Sequence, residues 1–540
     1  MNIIKITLLC LWVYSGFAQL TSSNLPIVII NTQGKTIVDE PKTLVQFQII
    51  YNGEGKTNKV TDAPNHYDSF AGVEFRGSSS QMFPKKPYGL ELRNADGSEN
   101  PKELLGMPKE SDWILFASYN EKSLMHNVFT LQMAGKLGIY APKTRYVELI
   151  FNDQYQGVYV FMEKIKRDKG RLDISNLKVE DVADDQLTGG YIIKIDKSTG
   201  TNLGSFTSKY ANRDNNYTSY FYESPKTINN IQKQYIKSYV TKFEDAVYGP
   251  DFRDPVKGYM PLIDVGSFVK MFVVNEISRN IDGYRISSFL YKDRDSKGGK
   301  LAAGPPWDYD ISYGNADYCQ GNRSDLFAYK FNQICPTDYW LVPRFWDRML
   351  DDPAFIGEMR NVYFEERKTG GKLSTENLIA DIDKIALEIK DAQVRNFQKW
   401  PILGTYIWPN PQPIASTWEG EVLELKTWLT ARLKWLDENM PKEFVITSNA
   451  EPEQNWRVFP NPFLDKIQIE LTSKEKAIGE ATLFDQTGKL LLSEKLEIVE
   501  GKNYLNIDIP QNLNIQGVAL MKIKLPSGEV IFKKLLKVSN

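Results

Sequence analysis

Short runs that alternate apolar and polar residues fill the first third of the chain. Residues 27–31, 43–51, 71–76 and 88–93 each read as a strand bounded by turn residues. At 122–137 the period lengthens to that of an amphipathic helix, stopped by Gly138. Residues 147–151 and 157–163 then make a hairpin about Asn152-Asp153, followed by a strand at 190–196. Helices are predicted at 265–276 and 419–439, with a hairpin at 287–291 and 300–303 between them. Trp428 and Trp435 on the last helix, with Trp418 just before it, fit packing better than a ligand box. Past Met440-Pro441 the pattern changes again. Six short alternating segments, at 466–471, 481–484, 490–493, 503–507, 518–523 and 530–534, have the spacing of a small β-sandwich.

The chain thus divides into an α+β body at 25–440, a polar linker at 441–454 and an all-β unit at 455–540. Residues 1–18 have the parts of a secretory signal: Lys5, the apolar run 6–14, then Gly16 and Ala18 before Gln19. That run falls short of the roughly 20 residues needed to span a bilayer, and no transmembrane segment is expected. Export leaves Cys319 and Cys335 in the mature chain. A disulfide between them closes a short loop and contributes about 3 kcal/mol.

Composition narrows the chemistry. Across 540 residues, 66 Lys+Arg face 68 Asp+Glu, a net charge of -2, so no basic footprint for nucleic acid exists. Two histidines, His66 and His126, cannot supply the His-rich shell of most catalytic zinc sites. Three cysteines cannot hold a four-thiolate iron–sulfur cluster. The basic stretch 164–171 reads as a solvated turn, and Asp181, Asp184 and Asp185 as a solvated acidic loop. Trp400, Tyr406, Trp408 and Trp418 could stack sugar rings, but core or loop packing accounts for them better.

Two stretches carry candidate chemistry. In the first, Gly77-Ser78-Ser79-Ser80 makes a small-residue turn ahead of Lys85 and Lys86, able to cradle an anion, without a Walker pattern. In the second, Asp282 precedes the 287–303 hairpin, and Asp308 and Asp310 follow it. A hairpin returns its ends to one cleft. In phosphoryl transfer one such carboxylate accepts the hydroxyl proton while another holds the magnesium that bridges phosphate oxygens. The hairpin turn 293–298 is similar to a calcium loop, but Lys297 falls where a ligand belongs.

Two resemblances follow from these residues. Val458-Phe459-Pro460-Asn461-Pro462-Phe463, Leu483-Phe484-Asp485-Gln486-Thr487-Gly488-Lys489 and the closing basic strand resemble the C-terminal sorting domain of the type IX secretion system of Bacteroidetes. That implies handling by this machinery and delivery to the cell surface or beyond. Arg76-Gly77-Ser78-Ser79, Phe83-Pro84-Lys85-Lys86, Asp112-Trp113, Glu163-Lys164-Ile165, Asn280-Ile281-Asp282 and Trp307-Asp308-Tyr309-Asp310 resemble the CotH kinase family of atypical protein kinases. The resemblance implies a kinase-like fold, with ATP and Mg2+ (or Mn2+) as cofactors, and transfer of the γ-phosphate to Ser/Thr hydroxyls. Carried over, Asp282 is the base and Asp308 the metal ligand, with Asp310 as its rival. Lys85 or Lys86 contacts phosphates, Arg76 braces the turn, and Met162 and Glu163 line adenine.

The chain departs from kinases in places. Ser287 stands five residues after Asp282, where kinases place a metal-binding asparagine. The helix at 122–137 offers Asn127 and Gln132 but no glutamate to pair with the lysine. A catalytically silent surface protein that binds polysaccharide or protein partners is therefore the alternative function. The acceptor, protein or glycan, is not specified.

Overall fold

In the computed structural model the described residues are 20–198, 202–442, 456–473, 475–485, 489–510, 513, 515, 517–524 and 530–537. The signal segment 1–18 and the linker from residue 443 lie outside them, as do Gln486, Thr487 and Gly488 of the sorting motif. The chain separates into two compact units, 1–443 and 444–540.

Seven strands of the first unit close into a barrel: β1 (Ile27–Asn31), β2 (Thr43–Ile50), β3 (Tyr67–Phe75), β4 (Tyr88–Arg93), β5 (Asp112–Phe116), β6 (Thr144–Phe151) and β7 (Gln154–Glu163). Neighbours run antiparallel except where β1 meets β6, with Glu148 opposite Ile27. Closure leaves no sheet edge. Alternation decides which residues fill the barrel: Phe47, Trp113, Tyr159 and Phe161 point inward, whereas Val158, Val160 and Met162 of the same β7 pack against a helical layer. Asn152 and Asp153 both adopt positive φ in the β6–β7 turn, the conformation a two-residue hairpin demands.

A second sheet follows, of β8 (Tyr191–Ile195), β9 (Ser205–Arg213), β10 (Asn216–Ser224), β11 (Ser288–Lys292) and β12 (Leu301–Ala303), ordered β9-β10-β8-β11-β12. Around it lie α1 (His126–Lys136), α2 (Asn230–Tyr248), α3 (Val265–Ser278), α4 (Pro353–Arg367), α5 (Thr375–Lys399) and α6 (Trp418–Asn439). From Ser267 to Ser278 only Lys270 of α3 is not buried, as expected of a central helix. The predicted helix at 122–137 begins four residues late. Leu124 sits at positive φ, and Glu121 accepts from the Ser123 hydroxyl and the His126 amide, so this segment forms a turn before α1.

Lys85 corrects the expectation that it contacts phosphate. It is buried, and its ammonium donates to Ser118 O (3.1 Å), Val158 O (2.6 Å) and Asn396 Oδ1 (2.9 Å) beside the Tyr159 ring. Burial lowers its pKa to about 7. The charge of Glu121 opposes that shift, and the three acceptors make Lys85 a strut between the barrel and α5. Gly157 permits it: a Cβ there would lie 2.5 Å from Asn396 Oδ1. The stretch 164–171 is only partly solvated: Lys169 is exposed, but the rest is half-buried or buried. Arg171 is buried over Trp113, and Lys166 pairs with Glu110 (3.0 Å) and Asp112 (2.7 Å).

The second unit is a sandwich. Strands β13 (Trp456–Phe459), β14 (Lys466–Ser473) and β17 (Gly501–Asp508) face β15 (Ala477–Asp485), β16 (Leu490–Ile498), β18 (Val518–Lys524) and β19 (Val530–Leu536). Ile467, Ile469 and Ile507 share its core with Leu483, Met521 and Leu535.

In the first unit, Arg432 of α6 and Glu276 of α3 form a fully buried ion pair at 3.0 Å. Replacing Arg432 by Met leaves a buried carboxylate unpaired and is expected to cost about 3–5 kcal/mol, read as a lowered urea midpoint for the first transition.

Candidate functional site

The site grows from the end of α3. Arg279 takes a left-handed conformation (φ 41°) that stops the helix, and its guanidinium donates to Leu326 O, Gln320 O and Gly321 O. Asn280 then works in both directions: its Oδ1 accepts from the Asp282 amide (3.1 Å) and its Nδ2 donates to Asp308 O (3.0 Å). Gly283 is needed here, because a Cβ would press within 2.9 Å of Asn280 O. Beyond the loop the chain enters β11, turns, returns through β12 and reaches Asp308, itself at φ 67°. Asn127 of α1 accepts the Tyr309 amide (3.0 Å) and holds the returning strand end.

This path brings Asp282, Ser287, Asp308 and Asp310 together. The Ser287 hydroxyl donates to Asp308 Oδ2 at 3.2 Å. Burial, Asp310 and Asp282 push the Asp308 carboxyl well above the carboxylate range; burial also raises Asp310, against a hydrogen bond from Asn120. Like charges held this close are costly unless a proton or a cation sits among them. Two carboxylates and a hydroxyl are hard oxygen donors, so the set suits Mg2+ or Mn2+. Asp282 stands at its edge. Arg285, buried, donates to Asp282 Oδ1 (2.8 Å) and Asp338 Oδ1 (3.3 Å), leaving Asp282 Oδ2 without a hydrogen bond from the described residues.

Arg76 approaches from the barrel side. Its guanidinium lies over the Trp307 ring (5.3 Å) and makes no hydrogen bond or ion pair among the described residues. Burial lowers its pKa, opposed by Glu223, Glu74, Asp308 and Asp112. Lys164, next to the end of β7, is equally unpaired among the described residues. Burial lowers its pKa, Asp112 opposes this, and Arg76 reinforces it. Arg76, which feels the charge of Asp308, with Lys164 close to it, suits a phosphate chain. Lys164 lies within the basic stretch 164–171, and its spacing alone does not separate it from its paired neighbours.

Other expected residues fall elsewhere. Lys86 donates to Gln81 O (2.5 Å) and closes its own turn. Met162 belongs to the core. Glu163 is buried, accepts from Tyr140 OH (3.1 Å) and the Lys143 amide (3.0 Å), and keeps a buried Oε1 without a partner. Burial raises its pKa. Trp400 and Trp418 are structural, donating to Gln156 O and Ser123 O. Cys319 and Cys335 are joined as a disulfide, Cα–Cα 5.2 Å. The turn after β11 is closed by Lys292–Asp295 (2.7 Å) and offers no calcium cage.

The family described as CotH kinase protein matches residues 73–436, and the chain belongs to it. The secretion system C-terminal sorting domain matches residues 457–537, which implies handling by the type IX secretion system and passage across the outer membrane to the surface or the extracellular space. Among curated proteins, the inner spore coat protein H of Bacillus subtilis (strain 168) is 23% identical over 248 residues, covering 45% of this chain. The chain spans 58% of that protein's length. No helix among the described residues is long and apolar enough to cross a membrane.

If Asp308 is held against like charges, Asp308→Asn is expected to raise the thermal midpoint in metal-free buffer at neutral pH and to remove the rise that added Mg2+ gives the wild type. Thermal unfolding with EDTA or Mg2+ checks both.

Proposed function

We propose that the chain is an exported ATP-dependent phosphotransferase acting on hydroxyl groups, an atypical kinase of the Ser/Thr type. The observation that carries this reading is the convergence of Asp282, Asp308 and Asp310 at the two ends of one hairpin, with Ser287 hydrogen-bonded to Asp308. Asp282 is the base: Arg285 fixes one oxygen and leaves the other for a hydroxyl proton. Asp308 and Asp310, with Ser287, hold the divalent cation, whose charge offsets that of the phosphates. Arg76 and Lys164 receive phosphate oxygens, taking the role first expected of Lys85 and Lys86.

One observation favours a binding-only protein: Ser287 occupies the position of the kinase asparagine, and a hydroxyl is a weaker magnesium ligand than an amide carbonyl. The two readings separate on one assay. The mature chain is incubated with γ-labelled ATP, Mg2+ or Mn2+ and dephosphorylated casein. Asp282→Ala is expected to reduce transfer by about 10²–10⁴-fold, Asp308→Ala to abolish it, and Arg76→Ala to raise the KM for ATP. Transfer that survives Asp282→Ala overturns Asp282 as the base, and a wild type that neither transfers label nor binds nucleotide overturns the kinase reading.

A further inference from the structure

Asp282 is flanked by aromatic rings that the phosphotransfer reading leaves unused. On one side stands Tyr318. Its phenol is pushed above its usual pKa by burial and by Asp282, with Asp310 and Asp338 adding to this. The Tyr318 ring lies parallel to Trp408, centroids 6.0 Å apart and planes 8° from parallel. Trp408 remains 37% exposed and Tyr406 48%. Tyr406 is tied down by its hydroxyl, which donates to Asp317 Oδ2 at 2.8 Å, while the Asp317 amide donates to Pro409 O (2.9 Å). On the other side, the arginine that holds Asp282 also holds a tryptophan: Arg285 Nη1 donates to Trp340 O at 3.0 Å. Trp340 is 37% exposed and meets Tyr339, 75% exposed, edge-on at 5.2 Å.

Four large rings left partly in water, tied by hydrogen bonding or stacking to Asp317, Tyr318, Arg285 and one another, are an unusual use of apolar surface. Their setting narrows what they receive. The polar groups among them are mainly carboxylates, Asp317 and Asp338, with Lys197 over the Trp340 ring at 5.1 Å. Carboxylates repel an acidic peptide but accept hydrogen bonds from neutral hydroxyls. A pyranose presents both surfaces needed, a C–H face for an indole and a ring of hydroxyls for carboxylates.

We infer that Trp408, Tyr406, Trp340 and Tyr339 form an acceptor surface for a neutral saccharide, which presents one hydroxyl to Asp282. This rests on the phosphotransferase reading and gives it a sugar hydroxyl in place of a Ser/Thr hydroxyl as acceptor. In the step, the saccharide oxygen bonds to the γ-phosphorus and the bond from that phosphorus to the bridging oxygen of ATP breaks. The hydroxyl proton passes to Asp282, and ADP and a phosphorylated sugar leave.

Two arms test it on the mature chain. In the first, without ATP, hexasaccharides of β-1,4-linked glucose, mannose and xylose are titrated by calorimetry. At least one is expected to bind, with Trp408→Ala weakening it roughly tenfold and Trp408→Phe restoring much of the loss. Tyr504→Ala, an exposed ring in the other unit, serves as control and is expected to change nothing. In the second arm, label from γ-labelled ATP is followed into the bound hexasaccharide and into dephosphorylated casein. Transfer to the saccharide is expected, with Trp408→Ala raising the acceptor KM and not the KM for ATP. Label entering casein with no saccharide bound overturns the saccharide assignment and spares the phosphotransferase. Saccharide binding lost in Trp408→Ala, with no label entering either acceptor, overturns the acceptor role together with the phosphotransfer reading.

Discussion

Glu276 and Arg432 face each other with no access to water, and much of the first unit is arranged to make that pairing tolerable. An isolated buried charge is prohibitive, so each needs further partners. Arg432 also donates to Glu276 O, Ser324 O and Leu326 O; Glu276 also accepts from the Ala328 and Tyr329 amides and the Tyr284 hydroxyl. Burial lowers the arginine only to about 10, and it stays charged at neutral pH. One ion pair thereby locks α3, α6 and the segment 324–329.

That lock positions the chemistry. Asp282 lies six residues past Glu276, on a loop whose other supports come from the same neighbourhood: Arg279 on Gln320 and Leu326, the disulfide at Cys319, and Arg285 on Asp338. The Tyr313 amide donates to Ser278 O and the Ile281 amide to Ile311 O, so the loops bearing Asp282 and Asp310 are stitched directly together. Rigid support is what allows carboxylates to be held against their own repulsion, and that crowding prepares them for a divalent cation.

Much of this was legible in the chain. Alternation marked six of the seven barrel strands, missing Asp112–Phe116, and it marked the sandwich; Asp282 and Asp308 were readable because a hairpin brings its own ends together. The helix α5 was missed, although Leu378, Ile382, Ile385 and Ile389 stand at helical spacing. Lys85 was not legible. It and Lys86 look alike in sequence, and only acceptors 33, 73 and 311 residues away make Lys85 a strut. Arg76 and Lys164 stand out for the opposite reason: unlike nearby Lys166, Lys164 finds no hydrogen-bond or ion-pair partner among the described residues, a contrast that requires three dimensions.

Manganese reports on whether the carboxylate cluster is a nucleotide-linked metal site without depending on any acceptor. Electron paramagnetic resonance of Mn2+ is recorded on the mature chain with and without a non-hydrolysable ATP analogue, for wild type and Asp308→Asn. The account predicts Mn2+ held tightly by the wild type, more so with the analogue, and released by Asp308→Asn. Mn2+ that stays free with nucleotide present, or binds Asp308→Asn equally well, would contradict it.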